Sequence, residues 1–422
     1  MQRNRINLRV ETEPMQFMAN NRYIQWLLVQ GFFTLNLIGV ILYTYTAPSL
    51  SNSLKLDTIQ ISTIGGSYFI AYAISQLLIG SSLEAWSPRL MLGITAMTAG
   101  IGSLLLSGAQ SYEQVFAARI LMAVGFGTAM VGVVHVVSQH FNNTYAFMVN
   151  LSQGLANGAQ TGLGLMTTLP FLQTFRTPFN LIGVALLINS LLFFLLFREA
   201  KATPAKGTET DRNKEKTYPS LGVQLSSIAR NGQFWIGTVY FLGLFATYIA
   251  FADLWNIKFQ HDIFKHSESI ATTINTSVQG GLAIGGILSG VWANRSGYLL
   301  PARTAAWLCL AAMVILYSAP LPQNIATALL LVVGLTLGAA PLGLAVMNAH
   351  VPIQAQSLAT PILLTIGFAG AGVLMPAIGI NLAALPISAF DTYRHGMNWF
   401  LVPIAISGVA SLLMKPGRQS HG

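Results

Sequence analysis

The side chains of this sequence that could bind or couple a solute stand out because they are polar within long apolar runs. Arg119 lies about five residues into one such run, 114–138. An arginine placed there is costly unless it faces a protein interior and pairs with an anion, a carboxylate or backbone carbonyls; the alternative is that it snorkels to the outer interface. On the run 146–168, Gln153, Asn157, Gln160 and Gly164 recur at spacings of four, three and four, which sets them on one helix face. Gly154, Gly158 and Gly162 form an adjacent small-residue stripe suited to packing. Tyr68, Tyr72 and Gln76 align on a second run and Asn275 with Gln279 on a third, while Asn36, Gly39 and Tyr43, then Tyr240, Tyr248 and Asp253, stand on two more. Amides, phenols and a guanidinium suit hydrogen bonding to a small polar or anionic molecule, and no grouping of Asp, Glu, His and Ser recurs at one depth to point to an enzyme. The titratable groups in reach of the runs are Asp253 near an outer end, Glu84 at an inner border and His135, so Asp253 and His135 are the candidates for holding a coupling proton or sodium ion. No phosphate-binding loop, zinc motif or nucleophile elbow is present, so direct ATP drive and enzymatic catalysis are not expected, nor is a cofactor or metal. His261 and His266, with Asp262 and Glu268, read as solvated loop residues.

The elements that must position these groups follow from composition. At 53% hydrophobic and 8% charged, against about 25% charged in a soluble domain, the chain belongs in a lipid bilayer. Runs of about 20 apolar residues are each long enough to cross it as a helix. They fall at 24–46, 60–83, 89–109, 114–138, 146–168 and 180–197, then at 231–254, 271–292, 303–320, 325–349, 359–384 and 396–414. Between the two sets lies the polar stretch 198–230, with Pro204 and Pro219, a linker whose end, Leu221 to Ala229, suits a short amphipathic helix on the membrane surface. Residues 1–197 and 231–422 are therefore two six-helix bundles joined by a cytoplasmic linker. With both termini inside, sixteen of the 22 Lys and Arg residues fall on the inner side and five outside, as the positive-inside rule requires. The net charge of +9 is spread over short loops and reads as a topology signal rather than a nucleic-acid surface. Met1 to Arg22 is polar and the following run is too long for a signal core, so it stays as the first span. Cys309 is the only cysteine, which excludes an internal disulfide. Tyr45, Tyr317 and Trp255, near run ends, read as interface anchors.

The halves also echo one another. Trp26 and Trp235 are 209 residues apart, and both Gly80 to Gly290 and Gly162 to Gly372 span 210, an offset that points to duplicated halves of the same orientation. Gly80-Ser81-Ser82-Leu83-Glu84-Ala85-Trp86-Ser87-Pro88-Arg89 follows the second run, and Gly290-Val291-Trp292-Ala293-Asn294-Arg295-Ser296-Gly297 stands at the matching place in the second half. Together with the topology, these loops resemble the signature loop of the major facilitator superfamily, G-x-x-x-D-R/K-x-G-R-K/R. The first copy keeps Gly80, an acid at Glu84 and Arg89, with Ala85 and Ser87 at the basic and glycine places. The second keeps Gly290, Arg295 and Gly297, with Asn294 at the acid. The resemblance implies that these residues help hold one access state, with Gly80 and Gly290 allowing close helix approach. Arg119 through Gly127 is similar to the family's R-x-x-x-G-x-G-x-G pattern, with Ala123 at the first glycine. The 146–168 run is similar to its glycine-rich fifth-span motif, with Ala159 where a proline is usual, and Tyr72 through Gly80 is similar to the second span of its organic-anion symporter branches.

The resemblance implies an all-α membrane protein of twelve helices in two pseudo-symmetric bundles, acting as a secondary transporter by alternating access. The solute expected from Arg119, Tyr68, Tyr72, Gln76, Gln153, Asn157, Gln160, Asn275 and Gln279 is small and polar or anionic, such as a carboxylate. An exporter of amphipathic compounds is the alternative within transport, and a receptor or scaffold that retains the fold is the alternative outside it. A monomer in the cytoplasmic membrane, multi-pass and with no nucleic-acid partner, completes the expectation.

Overall fold

The computed structural model describes residues 21–78, 87–141, 144–165, 174–198, 221–319, 321–383 and 390–417, which form helices and no strand. Numbered in chain order, the long helices are α1 (Arg22–Leu54), α2 (Thr58–Leu78), α3 (Pro88–Gly108), α4 (Tyr112–His140), α5 (Tyr145–Leu165) and α6 (Arg176–Leu196). After a short helix at Leu221–Ala229 come α7 (Gly232–Phe264), α8 (Glu268–Ser296), α9 (Leu299–Ser318), α10 (Gln323–His350), α11 (Ile353–Ala383) and α12 (Arg394–Leu413). Ten of these are long and apolar enough to cross a membrane. The other two, α5 at 21 residues and α8 at 29, have the length but carry too many amides and hydroxyls for the same hydropathy. Among the described residues the set is consistent with twelve spans.

Local chemistry fixes the helix ends. Pro88 starts α3 where a missing N–H costs nothing. Asn231 caps α7 by accepting from the N–H groups of Gln233 and Phe234, both at 3.0 Å, and Ser267 caps α8 by accepting from Ile270 N–H at 3.4 Å. Lys265, left-handed at φ 56°, stops α7, and Gly297, at φ 76°, stops α8. Inside the chain α4 breaks at Gly127–Thr128 and α10 at Gly338–Pro341, two interruptions 211 residues apart at their first glycines. In α7 a π-helical turn covers Phe251–Trp255.

Two of the expected boundaries move outward, at the ends of α1 and α7. The runs 24–46 and 231–254 end where polar residues begin, yet α1 continues to Leu54 and α7 to Phe264. Asn256 and Gln260 end the apolar run of α7, but they are buried by hydrogen bonds rather than solvated, so the helix continues through them. His261 and Asp262 accordingly lie on α7 rather than in a loop.

The chain forms two compact units. One holds Met1–Val40, Ser75–Gln160 and Arg176–Glu215; the other holds Ile41–Ile74, Thr161–Phe175 and Lys216–Gly422. In the first, α3 packs on α6 and α4 through small residues: a Cβ on Gly125 would overlap the backbone nitrogen of Ala99, and Ser190 Oγ donates to Gly93 O at 2.7 Å. In the second, α8 and α10 approach backbone to backbone: a Cβ on Gly285 would overlap Leu335 O, and one on Gly334 would overlap Val278 O. Ser407 Oγ of α12 donates to Tyr240 O of α7 at 3.0 Å.

Candidate functional site

The second unit buries the densest polar cluster. Asp253 sits in the π-helical turn of α7, 4% exposed. Gln279 Nε2 of α8 donates to its Oδ1 at 3.2 Å, and Tyr248 OH donates to Gln279 Oε1 at 3.0 Å. One turn on, Asn256 Nδ2 donates to Asn275 Oδ1 at 2.7 Å, and Asn275 Nδ2 donates to the carbonyl of Ala252 at 2.8 Å. Thr44 Oγ1 of α1 donates to the backbone carbonyl of Asp253. A π turn leaves carbonyls out of the regular ladder, and here Asn275 and Thr44 take two of them. The apolar run alone puts Asp253 near the outer end of its span; the continuation of α7 buries it instead. Asn256 and Gln260, three and seven residues along α7 from Asp253, share its face, a signal readable only if the helix is extended past 254.

Beside this cluster stand aromatic rings. Tyr68 and Tyr72 of α2 stack at 6.2 Å, and Tyr72 meets Phe368 of α11 edge-on at 4.9 Å. Phe245 of α7 meets Phe368 edge-on at 5.0 Å and lies 6.3 Å from Tyr248. Sequence reasoning passes over Phe245 and Phe368, because an aromatic in an apolar run carries no contrast. Tyr45, Tyr317 and Trp255 are not interface anchors: all three are buried, Trp255 Nε1 donates to Met375 O at 3.2 Å, and Tyr45 packs with Ile41, Ile257 and Ala271. Near them a cavity of about 240 Å³ is lined by Ala47 and Ser51 of α1, Thr58 of α2, and Lys258, His261 and Asp262 of α7. Lys258 Nζ pairs with Asp262 at 2.9 Å.

In the first unit Arg119 is 1% exposed and donates from Nη1 to the carbonyl of Gly39 at 3.2 Å, so it stays within the protein. Gln76 is buried, its side-chain oxygen lacking a hydrogen-bond partner among the described residues. On α5 Gln153 Nε2 donates to Asn157 Oδ1 at 3.1 Å, both partly exposed, and Gln160 is buried. The small-residue stripe is corrected: a Cβ on Gly154, Gly158 or Gly162 meets nothing within 4 Å. The packed face of α5 runs instead through Ser152 and Ala156, with Trp26 Nε1 donating to Ser152 Oγ at 2.8 Å. His135 lies on the last turns of α4, 3.0 Å from the Gln139 amide nitrogen.

Of the loop-motif residues, Gly80 and Glu84 lie outside the described residues. Arg89 is exposed and donates to the carbonyl of Phe194 near the end of α6, where a cation also favours the helix dipole. Asn294, Arg295 and Gly297 are exposed at the end of α8. Gly290 does not serve close approach, since its Cβ position is open. Among the described residues no group of His, Cys, Asp and Glu could hold a metal ion.

The fold matches solved transporters. A bacterial homolog of the human lysosomal transporter Spinster, inward-facing and unoccupied, aligns at a TM-score of 0.73 and 14% identity over 93% of this chain and 96% of its own. The nucleoside transporter NupG aligns at 0.67 and 14% identity, covering 93% and 98%. A D-xylose-proton symporter aligns at 0.67 and 14% identity, covering 92% and 96%. No curated protein sequence matches. The sequence profile of the Major Facilitator Superfamily matches residues 27–376. With that profile across most of its length and polar side chains buried in long apolar helices, the chain belongs to the major facilitator superfamily, as a multi-pass membrane transporter.

Proposed function

We propose that the protein is a secondary transporter of a small organic solute, working by alternating access and coupled to a proton or sodium ion through Asp253. The observation that carries this reading is the buried carboxylate of Asp253, held by Gln279 in a π turn of a helix long and apolar enough to cross a membrane. An ionisable group there costs several kcal/mol or more and persists where an ion or solute passes. Arg119 supports an anionic solute, a carboxylate for instance, with Gln153, Asn157, Gln160 and Gln76 as hydrogen-bonding partners. Tyr68, Tyr72, Asn275 and Gln279 are the proposed solute contacts in the second unit. A xylose-proton symporter and a nucleoside transporter among the structural neighbours support solute movement with ion coupling. Residues 1–197 and 231–422 are the proposed repeated halves, an arrangement supported by the matching breaks in α4 and α10. Arg89 and Arg295 are the proposed inner-side gating residues, with both termini in the cytoplasm and the chain a monomer in the cytoplasmic membrane.

The test is uptake by the purified chain in liposomes of a labelled panel of organic anions, amino acids and amphiphiles, with and without an imposed pH or sodium gradient. Gradient-stimulated uptake of an anion is the expected result. Movement of amphiphiles alone replaces this reading with an exporter, and binding without movement replaces it with a receptor.

A further inference from the structure

We infer that the transported solute carries an aromatic ring, received by Phe245, Phe368 and Tyr72 beside the Tyr248–Gln279 hydrogen bond. The inference deepens the solute-carrier reading and rests on it. It comes from a contrast among the aromatic contacts of the chain. Rings that serve only as core are sealed: Phe32 against Phe193 at 6.0 Å, and Phe251 against Phe400 at 5.4 Å, are all 0% exposed. In the cluster of α2, α7 and α11, Phe245, Phe368 and Tyr248 all remain partly exposed although they touch one another or Tyr72.

That exposure is not lipid contact. On α11 the apolar face turned outward is marked by Val373, 62% exposed, and Ile380, 54% exposed, seven residues on. Phe368 is five residues before Val373, about 140° around the helix. On α7 the exposed apolar residue is Trp235, and Phe245, ten residues on and about 80° around the helix, is turned instead to α11, its Cδ1 3.0 Å from where a Cβ on Gly367 would stand. Both rings therefore face the protein side and are incompletely covered there.

The ring geometry specifies what would cover them. Phe368 already stacks on Phe69 at 6.2 Å and Phe245 on Phe241 at 4.6 Å, while Phe368 meets Tyr72 and Phe245 edge-on at 4.9 and 5.0 Å, so what is left to cover is ring edge, which gains from the face of a further ring. A saturated ring of the same size has no π face to offer those edges. Tyr248 joins the rings to polarity, since its hydroxyl is spent on Gln279 and Gln279 reaches Asp253. A solute with an aromatic ring and one polar substituent satisfies both ends.

The experiment measures equilibrium binding of four probes to the purified full chain: benzoate, cyclohexanecarboxylate, benzylamine and cyclohexylmethylamine. The expected result is that the aromatic member of at least one pair binds about 5- to 10-fold tighter than its saturated partner, the scale of one or two ring contacts. Phe368→Leu, which keeps apolar bulk, brings that ratio to about one, and Phe368→Tyr preserves it. Phe193→Leu, in the sealed pair of the first unit, leaves the ratio intact. Because each ratio is taken within one variant, losses of folded protein cancel. Equal binding within both pairs, an unchanged ratio in Phe368→Leu, or no binding by any probe overturns the inference. Liposome uptake decides the solute-carrier reading separately.

Discussion

Replacing Gly66 with valine is expected to force apart two helices that the native chain allows to touch. Gly66 on α2 faces Gly372 and Pro376 on α11: a Cβ there would lie 2.7 Å from Pro376 Cδ and would overlap the carbonyl oxygen of Gly372. The reverse holds as well, a Cβ on Gly372 falling 2.7 Å from the Gly66 oxygen. Ordinary carbon contacts begin near about 3.5 Å, so even alanine requires α2 and α11 to separate by roughly 1 Å, and the two methyls of valine require more. Overpacking of this kind costs about 1–3 kcal/mol, which lowers the population of the packed α2–α11 arrangement relative to a separated one by about 5- to 150-fold. Ala47, 7% exposed beside the cavity of α1, α2 and α7, reports the change. In an Ala47→Cys, Cys309→Ser background, labelling by a membrane-impermeant maleimide is expected to accelerate by about fivefold or more on adding Gly66→Val, while solute uptake falls. A gel-filtration profile unchanged from the parent separates opening from unfolding. If labelling and uptake both stay at parental rates, the close approach of Gly66 and Gly372 does not limit access to the cavity.

Other substitutions test the polar groups one at a time. Arg119→Ala is expected to abolish uptake while leaving expression intact, and uptake at the parental rate removes Arg119 from the solute path. Asp253→Asn keeps an oxygen for the Gln279 amide but cannot ionise; ligand binding should persist while stimulation by an imposed gradient disappears, and retained stimulation excludes Asp253 as the coupling group. Asn275→Ala leaves the Asn256 amide and the Ala252 carbonyl without the partners that satisfy them, at about 1–3 kcal/mol for each buried group, so the detergent-solubilised protein should melt measurably lower. A melting temperature equal to the parent shows that water or another group takes over those bonds.

How far the site was legible in the sequence depended on contrast. Arg119, Asn275 and Gln279 stand out because each is polar in an apolar run, and all three are buried. The same test misplaced the end of α7. Asn256, Gln260 and Asp262 look like the start of a loop when polarity is read as solvation, yet two of them are interior side chains with hydrogen-bond partners on α7 and α8. Tyr45 and Trp255 were misjudged alongside, since anchors at a membrane border make sense only if the helix stops there. The glycines of α5 failed for a different reason. A small residue permits close packing but does not compel it, and the neighbour that decides between packing and open space is remote in sequence.

The membrane explains why polar contrast carries so much information here and why it has a limit. A bilayer supplies no competing hydrogen bonds, so an amide or carboxylate in a span gains most from a partner in the protein, and α5 and α8 give up apolar character to hold theirs. Asp253 with Gln279, and Asn256 with Asn275, are complete pairs formed between two helices, which makes them both a cost to insertion and a device for fixing the register of α7 against α8. Aromatic rings carry no such obligation. Phe245 and Phe368 are equally at home against lipid, a core or a solute, and only their distances to Tyr72 and Tyr248 and their partial exposure separate the three. Specificity for an aromatic solute therefore has to be read from three-dimensional contacts, while the capacity to bind something polar is already written in the spacing of the amides.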